Sequence, residues 1–259
     1  MGTAFPANPL VLPDGTPVER IVLAHKSGIR VAVITYGAAI QALETPDRHG
    51  VFDDIVLGHD DPGGYLRERN FFGATIGRFG NRIANARFSL DGVEYDLSRN
   101  DGANSLHGGT HGFDTKNWSI EAVGVDPEPF VLLHLHSPDD EGGFPGNLDV
   151  WLRYQVGADR TLTLEFEAKS DRATFVNLTH HGFFNLGGLT AADVLDHVLL
   201  IDADRFLPVN DALIPLGPSE AVEGTPFDFR EPRPIGAGIS GGSSTVATGP
   251  RMRSQLLPK

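Results

Sequence analysis

Short runs of alternating apolar and polar residues, cut every few positions by turn-forming residues, restrict this chain to strands. Thr161–Ala168 sets Leu162, Leu164, Phe166 and Ala168 on one face, the two-residue period of a half-buried strand. Similar runs predict strands at Arg20–His25, Arg30–Tyr36, Ala38–Glu44, Asp54–Leu57, Ala86–Leu90, Val93–Leu97, Trp118–Val123, Phe130–His136, Asp149–Val156 and His197–Ala203. Asp91-Gly92 closes a hairpin, since both residues tolerate the positive φ of a type I′ turn, and Lys26–Gly28 closes another. Asp60–Tyr65 reads as turn chemistry and Ala192–Leu195 as a helical turn. No stretch carries an amphipathic helix of three turns, and 31 Gly with 18 Pro supply turns for many short strands, so the expected fold class is all-β, a sandwich or barrel.

At 259 residues and 40% apolar content the chain can bury one large core. The expected organisation is a single domain over residues 1–236. Residues 237–259, Gly/Ser-rich and then basic, are expected to form an unstructured tail. A net charge of −13 argues against nucleic acid or an anionic membrane as partner, which clustered Lys and Arg would attract. Absence of cysteine removes disulfides, thiolate nucleophiles and cysteine zinc sites together. No basic-then-apolar leader opens the sequence and no window approaches the roughly 18 to 20 apolar residues of a membrane span. The expected protein is soluble and cytoplasmic, with no membrane partner.

Thr174–Gly188, TFVNLTHHGFFNLGG, is expected to be a strand running into a turn, with His180 and His181 at the junction projecting to opposite sides. One of them is free to face a ligand; the structural alternative is a hydrogen-bonded pair at a strand end. Three further stretches carry polar residues that a loop does not need for its own sake. They are Gly77–Ile83 (GRFGNRI), Asn104–Gly109 (NSLHGG) and Phe206–Gly217 leading into Gly224–Phe229 (GTPFDF). Singly, Arg78 and Arg82 read as surface charges and Asn81 as a turn residue, the more common fate of such residues, while His107 reads as well as a strand-end residue as a site residue. His134 and His136 share a strand face, but two ligands are too few to specify a metal.

Together, and in this order, these stretches with Pro145–Leu148 (PGNL) resemble the aldose 1-epimerase family over roughly Arg20 to Gly236. The resemblance implies a large antiparallel β-sandwich with a sugar-binding face. It also implies an isomerase that interconverts the α and β anomers of a free hexose such as galactose or glucose, with no cofactor and no metal. That reaction needs an acid at the ring oxygen and a base at the C1 hydroxyl, so that the ring opens, rotates and recloses. Histidine suits the acid, because its ordinary pKa near 6.5 lets it hold or release a proton at neutral pH. By resemblance His181 is the acid and His107 binds near the ring oxygen, both counted as catalytic. Asn81 and Arg82 bind hydroxyls, and Gly182 and Phe183 line the site beside the histidines.

The sequence departs from the family pattern in two places. His180 stands where the family has Asn, and Phe183 where it has Tyr. Beyond the PFDF segment the family's Gly-Tyr-Asp-His motif and its later base glutamate are not found, and the last acidic residue is Glu231. On the resemblance, a truncated or frame-shifted member with impaired activity is expected. Two other readings stay open: a non-catalytic sugar-binding or regulatory module, and a hexose-6-phosphate epimerase, which would need a basic cluster at the sugar's C6 end. Oligomeric state is not legible.

Overall fold

A computed structural model describes residues 10–61, 63–239 and 255–257. Contacts gather into two compact units, Met1–Leu189 and Thr190–Lys259, a boundary inside the span expected to be one domain.

The first unit is built on two four-stranded antiparallel sheets. Arg20–His25, Ile29–Ile34, Ala39–Pro46 and Phe52–Asp54 pair in chain order to form one. Ser119–Gly124, Phe130–Ser137, Leu148–Val156 and Leu162–Ser170 form the other, also in chain order. Alternation decides which residues meet between them. Leu23, Val31, Val33, Ile40 and Leu43 of the first sheet share one buried cluster with Val131, Leu133, Val150, Leu152, Tyr154 and Val156 of the second. The sandwich is therefore held by burial of apolar faces, each fully buried aliphatic side chain contributing roughly 1.5–3 kcal/mol. The Tyr154 hydroxyl donates to the carbonyl of Ala38 at 2.6 Å, so the phenol in this core is satisfied. On the last strand, Leu162, Leu164 and Phe166 are only partly covered.

The Asp91-Gly92 hairpin forms as expected, with φ of 52° and 80° at the two turn residues, joining Arg87–Leu90 to Val93–Asp96. Three expectations are corrected. The Asp60–Tyr65 turn runs into a helical turn at Gly64–Arg67. Ala192–Leu195 is not helical, and the long strand expected at His197–Ala203 shrinks to Val198–Leu199.

In the second unit, Arg205–Leu207 pairs with Glu220–Ala221 and with Gln255–Leu257, while Val198–Leu199 pairs with Arg233–Pro234. Of the expected tail, Gly236–Ile239 is a helical turn and Gln255–Leu257 this strand; residues 240–254 and 258–259 lie outside the described residues. Among the described residues no helix is long and apolar enough to cross a membrane.

Candidate active site

All the residues singled out around the histidine pair belong to the first unit. The strand there is Thr179–His181, later than the sequence predicts, and it pairs antiparallel with Ala74–Ile76. His180 stands opposite Thr75 and His181 opposite Ala74, so the pair forms the last two residues of the strand, at its junction with the loop that follows, as expected. Alternation still parts them. His180 meets the Tyr154 ring edge-on at 6.0 Å on the core side, while His181 faces Phe71, His107 and Phe183.

A second short ladder delivers His107. Arg82–Ile83 pairs with Ser105–Leu106, and just beyond it the chain turns at Asn81 and His107, both at positive φ. The two residues lock each other. The His107 backbone N–H donates to the Asn81 carbonyl at 3.0 Å, and the Asn81 backbone N–H donates to His107 Nδ1, also at 3.0 Å. With Nδ1 accepting, the proton of the neutral ring belongs on Nε2. Burial pushes the His107 pKa down to about 4, helped by the neighbouring His181, Arg82 and Arg69, so the ring is neutral at pH 7. The His107 and His181 rings meet edge-on, 5.2 Å between centroids. His181 is also lowered by burial, opposed by a hydrogen bond to its own backbone and by the charge of Asp114.

The structure brings all six predicted site residues together. Arg82 is fixed beside His107, its Nε on Asp101 at 2.7 Å and a terminal nitrogen 3.4 Å from Asn81 Oδ1. At Gly182 an added Cβ would stand 2.9 Å from the edge of the exposed Phe184 ring, which would have to shift to admit it. Phe183 packs on His181 at 4.8 Å, half of an aromatic wall shared with Phe72. Arg78, from the same GRFGNRI stretch, takes no part. It is buried and spends its donors on Ser137 Oγ and on the carbonyls of Ser137, Pro138 and Pro145, so it cannot serve as a phosphate ligand beside Arg82. His134 and His136 both hydrogen-bond one oxygen of Asp149, and His134 stacks on Trp151. Among the described residues no cluster of three or more His, Asp or Glu side chains is arranged to hold a metal.

Sequence reasoning missed Phe71, Arg69 and Asp114. The Phe71 ring stacks on His181 at 5.5 Å and meets His107 edge-on at 4.9 Å. Arg69 lies over the same ring and forks onto both oxygens of Asp114 at 2.7 and 2.8 Å. The available signal was the run Arg69–Gly73, RNFFG, a cation and two aromatics directly ahead of the strand that pairs with the histidines.

Taken together, the arrangement sets side by side a neutral histidine donor, a second histidine whose pKa burial also lowers, a fixed guanidinium and aromatic rings. It suits a polyhydroxylated neutral ring, whose hydroxyls take the polar groups and whose C–H faces take the rings. The comparisons agree with that class. The aldose 1-epimerase family model matches residues 19–250, and the chain belongs to this family. The match runs past Gly236, where recognisable sequence was expected to end. The chain is 44% identical to galactose mutarotase of Bos taurus, over 88% of this chain and 64% of that protein. It is 38% identical to aldose 1-epimerase of Escherichia coli, over 88% of this chain and 64% of that one. The chain thus spans just under two thirds of the length of these relatives. Among solved structures, galactose 1-epimerase from Lactobacillus acidophilus superposes with a TM-score of 0.83 at 31% identity, covering 93% of this chain and 69% of that one. An aldose epimerase homologue from C. elegans gives 0.82 at 28% identity, over 93% and 72%.

Proposed function

We propose that this chain is an aldose 1-epimerase acting on a free hexose such as galactose or glucose, with His181 as the acid. The observation that carries the reading is the edge-on His107–His181 pair, 5.2 Å apart and walled by Phe71 and Phe183, in a member of this family. His107, neutral and with Nδ1 engaged, offers Nε2–H to the sugar near its ring oxygen. His181 delivers its proton to the ring oxygen as the C1–O bond breaks, the C1 hydroxyl gives up its proton to solvent water, C1–C2 rotates, and the ring recloses on the other face by the reverse transfers. Asn81 and Arg82 hold hydroxyls, and Gly182 leaves the backbone close to the sugar. A cytoplasmic setting belongs to the same reading, supported by the free-sugar substrate class and the cysteine-free chain.

The test is polarimetry of α-D-galactose and α-D-glucose with this chain, beside galactose titration followed by tryptophan fluorescence. Acceleration above the spontaneous rate is expected, and His181→Ala should lower it by about 10² to 10⁴, the usual worth of a placed proton-transfer group. Unchanged activity in His181→Ala would reject the acid assignment. A second reading, sugar binding without turnover, is favoured by one feature: Asp114, the carboxylate acting on His181, has both oxygens held by Arg69 and is not free as a base. Saturable galactose binding with no acceleration would select it.

A further inference from the structure

Phe71 is held in a conformation that it would not adopt alone. Its φ is +61°, in the left-handed region, which a bulky residue adopts at a cost and keeps only if its surroundings fix it. Here they do so by ring contacts: Arg69 lies 5.2 Å over the ring, His181 stacks at an interplanar angle of 27°, and His107 meets its edge. Arg69 is immobilised in turn. Its fork onto Asp114 uses two parallel hydrogen bonds, and the Asp114 side chain is only 3% exposed. Asp114 itself sits in the turn Phe113–Thr115, and that turn packs so tightly that a Cβ on Gly37 would stand 2.8 Å from the Asp114 carbonyl. A cavity of about 140 Å³ is lined by Tyr36, Tyr65, Arg69, Phe71 and Asp114.

We propose that Asp114, Arg69 and Phe71 are positioning residues for His181: Asp114 anchors Arg69, Arg69 anchors Phe71, and Phe71 fixes the His181 ring beside His107. The inference rests on the reading of His181 as acid, and it gives the ion pair a task beyond packing. Two imidazoles 5.2 Å apart disfavour being charged together, so one site must be favoured for the proton. The pair splits them. The negative charge of Asp114 favours protonated His181, whereas Arg69, with Arg82, disfavours protonated His107 and is only partly offset by Asp101. His180, on the opposite side of the strand, is the remaining titratable neighbour and is itself held neutral by burial. Environments that push two neighbouring groups apart are how one site assigns acid and hydrogen-bond donor.

The test follows the histidine ring signals of isotope-labelled chain by NMR from pH 8 to pH 4, with His181→Asn identifying the His181 resonance. Asp114→Asn is expected to lower the His181 midpoint by about half a unit or more, roughly a threefold change in its protonation equilibrium. Phe71→Leu should change the ring-current shift on His181, leaving the part due to Phe183, and broaden its signal. Arg69→Lys, which keeps the charge but not the fork, should keep the midpoint closer to wild type than Asp114→Asn does. Should Asp114→Asn fail to fold, the double variant Arg69→Met/Asp114→Asn removes the pair without stranding a buried charge and should lower the midpoint likewise. Folded Asp114→Asn, or the folded double variant, together with Phe71→Leu leaving the His181 midpoint and shift unchanged would overturn the proposal. Turnover is not needed for this measurement. A shifted midpoint in a chain whose mutarotation is indifferent to His181→Ala would keep the coupling and remove the acid reading alone.

Discussion

His180 shows how one residue can carry a cost that its neighbour escapes. Strand alternation turns it toward Tyr154, where its Nε2 is buried and has no hydrogen-bond partner among the described residues. Burial pushes its pKa down to about 4, against the hydrogen bond to the Gly73 backbone that favours the charged form. An unfolded chain would take up that proton near pH 6.5, so between about 6.5 and 4 the unfolded state binds more protons than the folded one and stability falls as pH falls. His180→Asn removes this titration. Urea unfolding at pH 7 and pH 4.5 should show the variant losing less stability on acidification than wild type, by about 2 kcal/mol. Equal losses in the two proteins would show that His180 is not held neutral in the fold.

At the scale of elements, the two site loops are fitted to each other through their backbones. Gly108 has φ +82°, and a Cβ there would stand 1.9 Å from the carbonyl oxygen of Gly77. Nothing in that contact can give, because both sides are main chain. Gly108→Ala should therefore destabilise the first unit by roughly 3 kcal/mol, combining a strained φ with a steric clash, and should disturb His107 and Asn81 together. Chemical denaturation and the His107 ring signal report the two effects separately. The NSLHGG and GRFGNRI stretches are visible in sequence as separate motifs, but that one loop's glycine makes room for the other's backbone is not.

Over the first unit as a whole, stability rests on the layer between the two sheets. Leu152 is wholly buried there, among side chains of both sheets. Leu152→Ala should cost about 2–5 kcal/mol, the range for a large-to-small change in a packed core, and lower the urea midpoint of this unit accordingly. A cost below about 1 kcal/mol would mean that the sheets are not closely packed at that layer.

Much of the sandwich was legible because strand burial has a period of two, and Leu148–Val156 alternates buried and half-buried residues along its whole length. His181, His107, Asn81 and Arg82 were legible as motifs for the same local reason, since each lies in a short run whose residue types suit the chemistry. Asp114, Arg69 and Phe71 were not. They stand 45 residues apart at the ion pair, and nothing local to either loop says that the two meet. Arg78 was misread for the complementary reason: a charged residue looks exposed until the carbonyls that bury it are brought around it. The sequence by itself determined most of the sandwich strands, the opposite facing of His180 and His181, and the family motifs, all of which follow from neighbours along the chain. Only the tertiary structure decided which histidine lies against the core, which arginine stands beside Asn81 and His107 and what holds the His181 ring, because burial and charge pairing depend on residues brought together by the pairing of distant strands.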